Sequence, residues 1–254
     1  MALGVKGSRP PQYWIFAALF AVQILFGLNY VISKIVVESF PPLVWASIRI
    51  VIATIFMFGI AKAYGAPKPK TNWKDFYKPL IFLALTGTVI NQTCFLVGLK
   101  YTTSTNSAVL NTLIPVFTLL IVTLRGQEPL TFSRALGFLS AFGGVLVIRG
   151  IENFKLSDQT VIGDLLTIIN CLSYGIFLSF SKRFFETHDR MWATAYIFLL
   201  GSVGIILISI PQWSQVVWPV MTGELIFCAI FAILGGTLFT YFLNNWALAY
   251  TKSS

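Results

Sequence analysis

The sequence predicts an all-α integral membrane protein in which eight transmembrane helices are visible, part of a ten-helix bundle built from two inverted five-helix repeats. Three observations lead there. Hydrophobic residues make up 56% of the 254 and charged ones 11%, with a mean hydropathy of +0.79, above what a water-soluble domain of this length carries. The apolar residues fall in runs of about 20, the length at which a helix crosses roughly 30 Å of hydrocarbon. Finally, residues 87–105 return at 236–254 without a gap, pairing Gly87 with Gly236, Thr88 with Thr237, Leu99 with Leu248 and Tyr101 with Tyr250. The runs are too long and too unalternating for the roughly ten-residue strands of an outer-membrane barrel, so helices must satisfy the backbone.

The first span, 13–36, follows a short N-terminal segment, 1–12, carrying Lys6 and Arg9. That order resembles a signal peptide, but the run is of spanning length and lacks a small-residue cleavage pattern before Asn29, which favours an uncleaved helix. Gln23, Asn29 and Tyr30 are its polar candidates. The second span, 41–63, holds Arg49, the one charge well inside a span. Arg49 either attracts an anionic group, or snorkels to the interface, or caps carbonyls of a neighbouring helix.

After the loop 65–72, GAPKPKTN, stiffened by two prolines, the third span runs over 79–99. Thr88, Asn91 and Gln92 have i, i+3, i+4 spacing and so share one helical face. In the fourth span, 105–124, Pro115 lacks an N–H and leaves the carbonyl of Asn111 without an intrahelical donor. A kink is expected there, with the Asn111 side chain beside it. The fifth span, 132–148, carries the small pairs Gly137 with Ala141 and Ser140 with Gly144, suited to close helix packing.

An outer loop, 151–162, leads to the sixth span, 163–181, with Asn170, Ser173 and Tyr174; Asn170 and Tyr174 are one turn apart. The seventh covers 192–210. The eighth, 225–248, repeats the third, so that Thr237, Thr240 and Tyr241 stand where Thr88, Asn91 and Gln92 stood. Amides at membrane depth offer both donor and acceptor to an uncharged or zwitterionic solute. The competing reading is hydrogen bonding between helices, which such residues also provide.

The first repeat, 13–150, holds five spans, and the odd number inverts the second, 163–254, which shows three. By repeat arithmetic Ser254 corresponds to Thr105, so a complete second repeat is expected to continue for two more helices. The net charge of +9 would suggest nucleic acid in a soluble chain. Here the basic residues alternate between loops. With the N-terminus in the cytoplasm, most of the 18 Lys and Arg lie inside, among them Lys62, Lys68, Lys70, Lys74, Lys78, Arg125, Arg134, Lys182, Arg183 and Arg190. Lys34, Lys100, Arg149 and Lys155 lie outside, and the positive-inside rule supports this orientation.

Acidic residues all fall in loops or at span ends, so no buried carboxylate relay is visible. His188, the single histidine, is expected to be solvated in a charged loop. Cys94, Cys171 and Cys228 read as small packing residues in the spans. No metal cluster, nucleophile and base set or phosphate-binding glycine loop is present in the sequence, which argues against a membrane enzyme and a self-contained ATP-driven pump.

The segments GLKYTTSTNSAVLNTLIPVFTLLI, GFLSAFGGVLVI, GDLLTIINCLSYGIFLSFSKR and the ending ALAYTKSS, taken in order, resemble the EamA-type drug/metabolite transporters. The resemblance covers essentially the whole chain. It implies ten helices in two inverted halves and export of metabolites or amino acids, without selecting a substrate. The expectation is therefore a secondary transporter of a small polar metabolite working by alternating access. The alternatives are a non-transporting membrane structural or partner-binding protein, or an inactive truncated fragment. Substrate contact is expected at Asn29, Arg49, Asn91, Gln92, Asn111, Pro115, Asn170, Tyr174, Thr240 and Tyr241. No catalytic residue, metal or cofactor is expected. The partners are the lipid bilayer and a small-molecule metabolite, not nucleic acid, with a homodimer left open. The location is a multi-pass position in a cell membrane, the compact loops suiting a bacterial inner membrane.

Overall fold

The computed structural model describes residues 10–64, 72–129 and 159–243, together with residues 131, 132, 134, 136, 137, 139, 140, 143 and 144. All regular structure among them is helical. Among the described residues seven helices are long and apolar enough to cross a membrane: Gln12–Ser39, Pro42–Ala63, Trp73–Tyr101, Ser104–Leu124, Gln159–Thr187, Arg190–Trp213 and Gly223–Leu243. Most of the expected fifth span, including Ala141, lies outside the described residues. So do the N-terminal segment 1–9, nearly all of the loop 65–72, most of the outer loop 151–162 and the ending 244–254.

Helix α1 (Gln12–Ser39) shows how little of a membrane helix needs protein around it. Tyr13, Phe16, Phe20, Ile24, Leu28 and Val31 form an exposed stripe at helical spacing, where lipid chains are as good a solvent as a protein core. Its other face buries Val22, Asn29, Ser33 and Val36. Helix α2 (Pro42–Tyr64) is more enclosed, with Val44, Ala53 and Met57 fully buried.

The third span is not one uniform helix. A π-helical turn (Trp73–Tyr77) leads into α3 (Lys78–Ala84), a second π-helical turn (Leu85–Ile90) and α4 (Asn91–Tyr101). Asn72 opens it by accepting from the Asp75 N–H at 2.7 Å. The fourth span breaks as Pro115 leads one to expect. Helix α5 (Ser104–Asn111), capped by the Thr103 hydroxyl, gives way to α6 (Ile114–Leu124). Between them Thr112 and Leu113 donate only three residues back, to Val109 and Leu110.

Helix α7 (Gln159–Thr187) starts a turn before the apolar run at Gly163. The added turn is anchored by Asp164, which is buried and accepts from the Thr102 hydroxyl. Among the described residues Asp164 is thus the one buried acid. Helix α8 (Arg190–Trp213) is capped by Asp189, which accepts from Met191 and Trp192. Helix α9 (Gly223–Ile233) runs into a third π-helical turn (Leu234–Phe239) and one further helical turn to residue 243.

End contacts fix the directions. Lys34, near the end of α1, donates to the carbonyls of Leu99 and Lys100 at 3.0 and 3.1 Å. Thr102, beside them, holds Asp164 near the start of α7. Hence α1 and α7 run antiparallel. Helices α2 and α8 do likewise: Leu43 N–H donates to Gln212 at 3.0 Å at one end, and the Phe58 ring meets Tyr196 edge-on at 5.4 Å toward the other.

Glycines set several close approaches, two of them beside the ends or the polar centre of the bundle. At Gly163 a Cβ would lie 2.6 Å from the Thr102 nitrogen and 2.7 Å from the Gly98 carbonyl, so α7 crosses α4 backbone to backbone. At Gly236 a Cβ would collide with the Asn29 side chain. His188 is not simply solvated. Its ring stacks on Phe184 at 4.2 Å and touches Phe76, because α7 ends against the turn that opens the third span.

Candidate functional site

The elements enclose a cavity of about 660 Å³ between α1, α4, the α5–α6 break, α7 and the last π-helical turn. That volume suits a small organic molecule. Exposed Gln23, Gly27, Thr112 and Pro115 surround its mouth, and buried Asn29, Arg49, Asn91 and Asn170 lie at its closed end. The break at Pro115 positions the wall. Without a proline N–H the chain turns between Asn111 and Ile114, and both Asn111 and Pro115 face the cavity.

Side-chain amides form a continuous series along one wall. Gln92 Nε2 donates to Asn91 Oδ1 at 3.1 Å, and Asn91 Nδ2 donates to Asn170 Oδ1 at 2.5 Å. Asn170 Nδ2 then donates to Asn111 Oδ1 at 2.9 Å, and Asn111 Nδ2 to the Ser107 carbonyl at 2.7 Å. This network assigns the orientation of each amide. Within the series Asn91 and Asn170 each keep one N–H and one lone pair to offer a solute. The Cys171 thiol sits behind the series and donates to the Leu110 carbonyl at 3.4 Å.

Arg49 closes the far end. Its Nε donates to Thr237 Oγ1 at 2.8 Å, and its Nη2 reaches Asn29 Oδ1 at 3.4 Å and the Gly236 carbonyl at 3.5 Å. It therefore does cap a carbonyl of a neighbouring element, yet it also lines the cavity and does not snorkel outward. A separate void of about 10 Å³, room for roughly one water, lies beyond it. Arg49, Gln92, Thr237 and Tyr241 line both spaces and so form the partition between them.

Of the residues expected to touch substrate, Asn29, Arg49, Asn91, Gln92, Asn111, Pro115, Asn170, Tyr174 and Tyr241 line this one cavity. Thr240 does not: its hydroxyl turns back to the Gly235 carbonyl at 2.7 Å. Thr88 is also drawn away, packing where a Cβ on Gly201 would sit. The π-helical turn over Leu85–Ile90 is wider than an α-helical one and rotates less per residue, so the trio expected on one face is split between two neighbourhoods. Unforeseen lining residues include Phe26, Phe95 and Gly236. Phe26 and Phe95 lie one turn from Asn29 and Asn91, a spacing that could have pointed to them.

The family model described as the EamA-like transporter family matches the chain twice, over residues 12–150 and 161–254. An uncharacterized transporter of Bacillus subtilis, YoaV, is 23% identical over 94% of the chain and 81% of its own length. An uncharacterized transporter of Archaeoglobus fulgidus is 26% identical over 91% of the chain and 80% of that protein. A WAT1-related protein of Arabidopsis thaliana is 21% identical over 81% and 62% respectively. With two matches spanning most of its length and apolar helices throughout, the chain is a multi-pass membrane protein that belongs to the EamA-like transporter family.

Proposed function

We propose that the protein is a secondary carrier that moves a small polar metabolite, such as an amino acid, across the membrane by alternating access, in the direction of export. The observation that carries this reading is the amide series from Gln92 through Asn91 and Asn170 to Asn111, set in the wall of a cavity large enough for such a solute. Uncharged amides bind and release polar solutes without the desolvation penalty of a buried charge on each of them. Membership of a family whose relatives are named transporters supports the same reading. The break at Pro115 and the π-helical turns support it too, since irregular backbone at membrane depth is tolerated where it lines a cavity. The expected ten-helix, inverted-repeat plan is consistent with the antiparallel pairs α1 with α7 and α2 with α8. The charge distribution favours a cytoplasmic N-terminus, and the compact loops suit a bacterial inner membrane.

The amides also tie α4 to α7 and α5, which is what a non-transporting membrane scaffold would require. Metabolite profiling of cells producing the protein separates the two. Export predicts that one or a few small polar metabolites accumulate in the medium, and that an Asn91→Leu, Asn111→Leu double variant inserts normally but loses that accumulation. Equal accumulation with the double variant would rule the amide-lined path out.

A further inference from the structure

Resting on the carrier reading above, we infer that the cavity takes a solute bearing a single carboxylate, and that Arg49 is the group that receives it. Arg49 is 5% exposed and, among the described residues, is the only charged one lining the cavity. The ion pairs among the described residues are Lys34 with Glu38 and Arg134 with Glu128, so Arg49 has no protein counter-charge there. Its three hydrogen bonds all go to neutral oxygens and involve Nε and Nη2. Nη1 is buried and has no acceptor.

An arginine held this way is costly to the empty protein, because a buried charge without a partner forfeits its hydration. Thr237, Asn29 and Gly236 orient the guanidinium and leave Nη1, on a residue that lines the cavity, without an acceptor. A carboxylate fits: it carries one charge, and its oxygens accept charge-assisted hydrogen bonds from Nη1, the guanidinium nitrogen left without an acceptor. A doubly charged phosphate group fits less well, since no second cation among the described residues lines the cavity. A bare inorganic anion would leave the amide series and the faces of Phe26, Phe95 and Tyr30 unused. The solute is thus an organic acid or an amino acid, with its carboxylate at Arg49 and its polar remainder on Asn91, Asn170 and Asn111.

The test uses the purified protein and three acids, L-alanine, L-phenylalanine and L-lactate, each against its amide. Affinity is read by calorimetry, and flux by uptake into proteoliposomes. At least one acid is expected to bind, with its amide weaker by roughly 30-fold or more, the loss typical when one partner of a desolvated charge pair is removed. Arg49→Gln should weaken the acid by a similar factor and so narrow the difference between acid and amide, and Arg49→Lys should recover part of the loss. If Arg49→Gln does not fold, the acid and amide comparison on the unaltered protein decides alone. Binding of alanine and lactate alike marks the carboxylate as the shared determinant, whereas lactate alone marks a net anion. An amide that binds and is carried as well as its acid overturns the Arg49 assignment and leaves the carrier reading standing. Neither binding nor flux for any of the six compounds overturns the assignment and counts against the carrier reading as well.

Discussion

Asn170 is the hinge of the amide series, accepting from Asn91 and donating to Asn111 through the two ends of one side chain. Asn170→Leu leaves both neighbours without their partner, at about 1 to 2 kcal/mol. The expected outcome is a modest fall in melting temperature in detergent and at least a tenfold loss of flux; unchanged flux would mean that the series is only structural. Gly163 offers a cleaner stability test. Gly163→Ala pushes a methyl into the backbone of Thr102 and Gly98 and should cost about 2 kcal/mol. Gly59→Ala, where nothing lies within 4 Å, should be neutral or slightly stabilising. Thermal unfolding of the two variants side by side checks the pair. At this scale the polar half of the site was legible, because Asn91, Asn111 and Asn170 are too costly in lipid to be there without reason. Phe26 and Phe95 were not, since an aromatic ring in a span is equally at home facing lipid, core or cavity.

The two π-helical turns Leu85–Ile90 and Leu234–Phe239 occupy equivalent places in the repeated sequence, Leu85 pairing with Leu234 and Ile90 with Phe239. Each precedes a residue of the partition, Gln92 or Tyr241. Thr237 bridges its own irregular turn to Ala232 at 3.0 Å while receiving Arg49, so the turn is stitched to the cavity floor. Phe239 is 60% exposed, and its deletion would remove little packing. The deletion should restore regular α-helix and rotate Tyr241 by about 100° away from the cavity. Circular dichroism is expected to show unchanged helix content, with flux lost; retained flux would mean that the π-helical turn has no part in shaping the site. This feature could not be read from sequence. The i, i+3, i+4 pattern assumes 3.6 residues per turn, and nothing in LTGTVI or LGGTLF announces a wider turn. The break at Pro115, by contrast, followed from one missing N–H.

For the whole molecule, the seven spans among the described residues were legible because lipid demands long apolar runs and complete internal hydrogen bonding. The direction of each helix needed tertiary contacts such as Lys34 with Leu99 and Thr102 with Asp164. These place Lys100 and Glu186, both exposed, toward opposite ends of the bundle. Single cysteines introduced at the two sites, with Cys94, Cys171 and Cys228 replaced by alanine, test the orientation. An impermeant maleimide added to intact cells should label position 100 and spare position 186; the reverse pattern would place the N-terminus outside. The central claim is that solute passes through the amide-lined cavity by alternating access, and counterflow in proteoliposomes tests it most directly. With the exported metabolite loaded at high concentration inside, uptake of labelled metabolite should rise above that of empty vesicles, and the Asn91→Leu, Asn111→Leu variant should show no rise. Uptake no faster than through protein-free liposomes, or equal in the variant, would contradict the account.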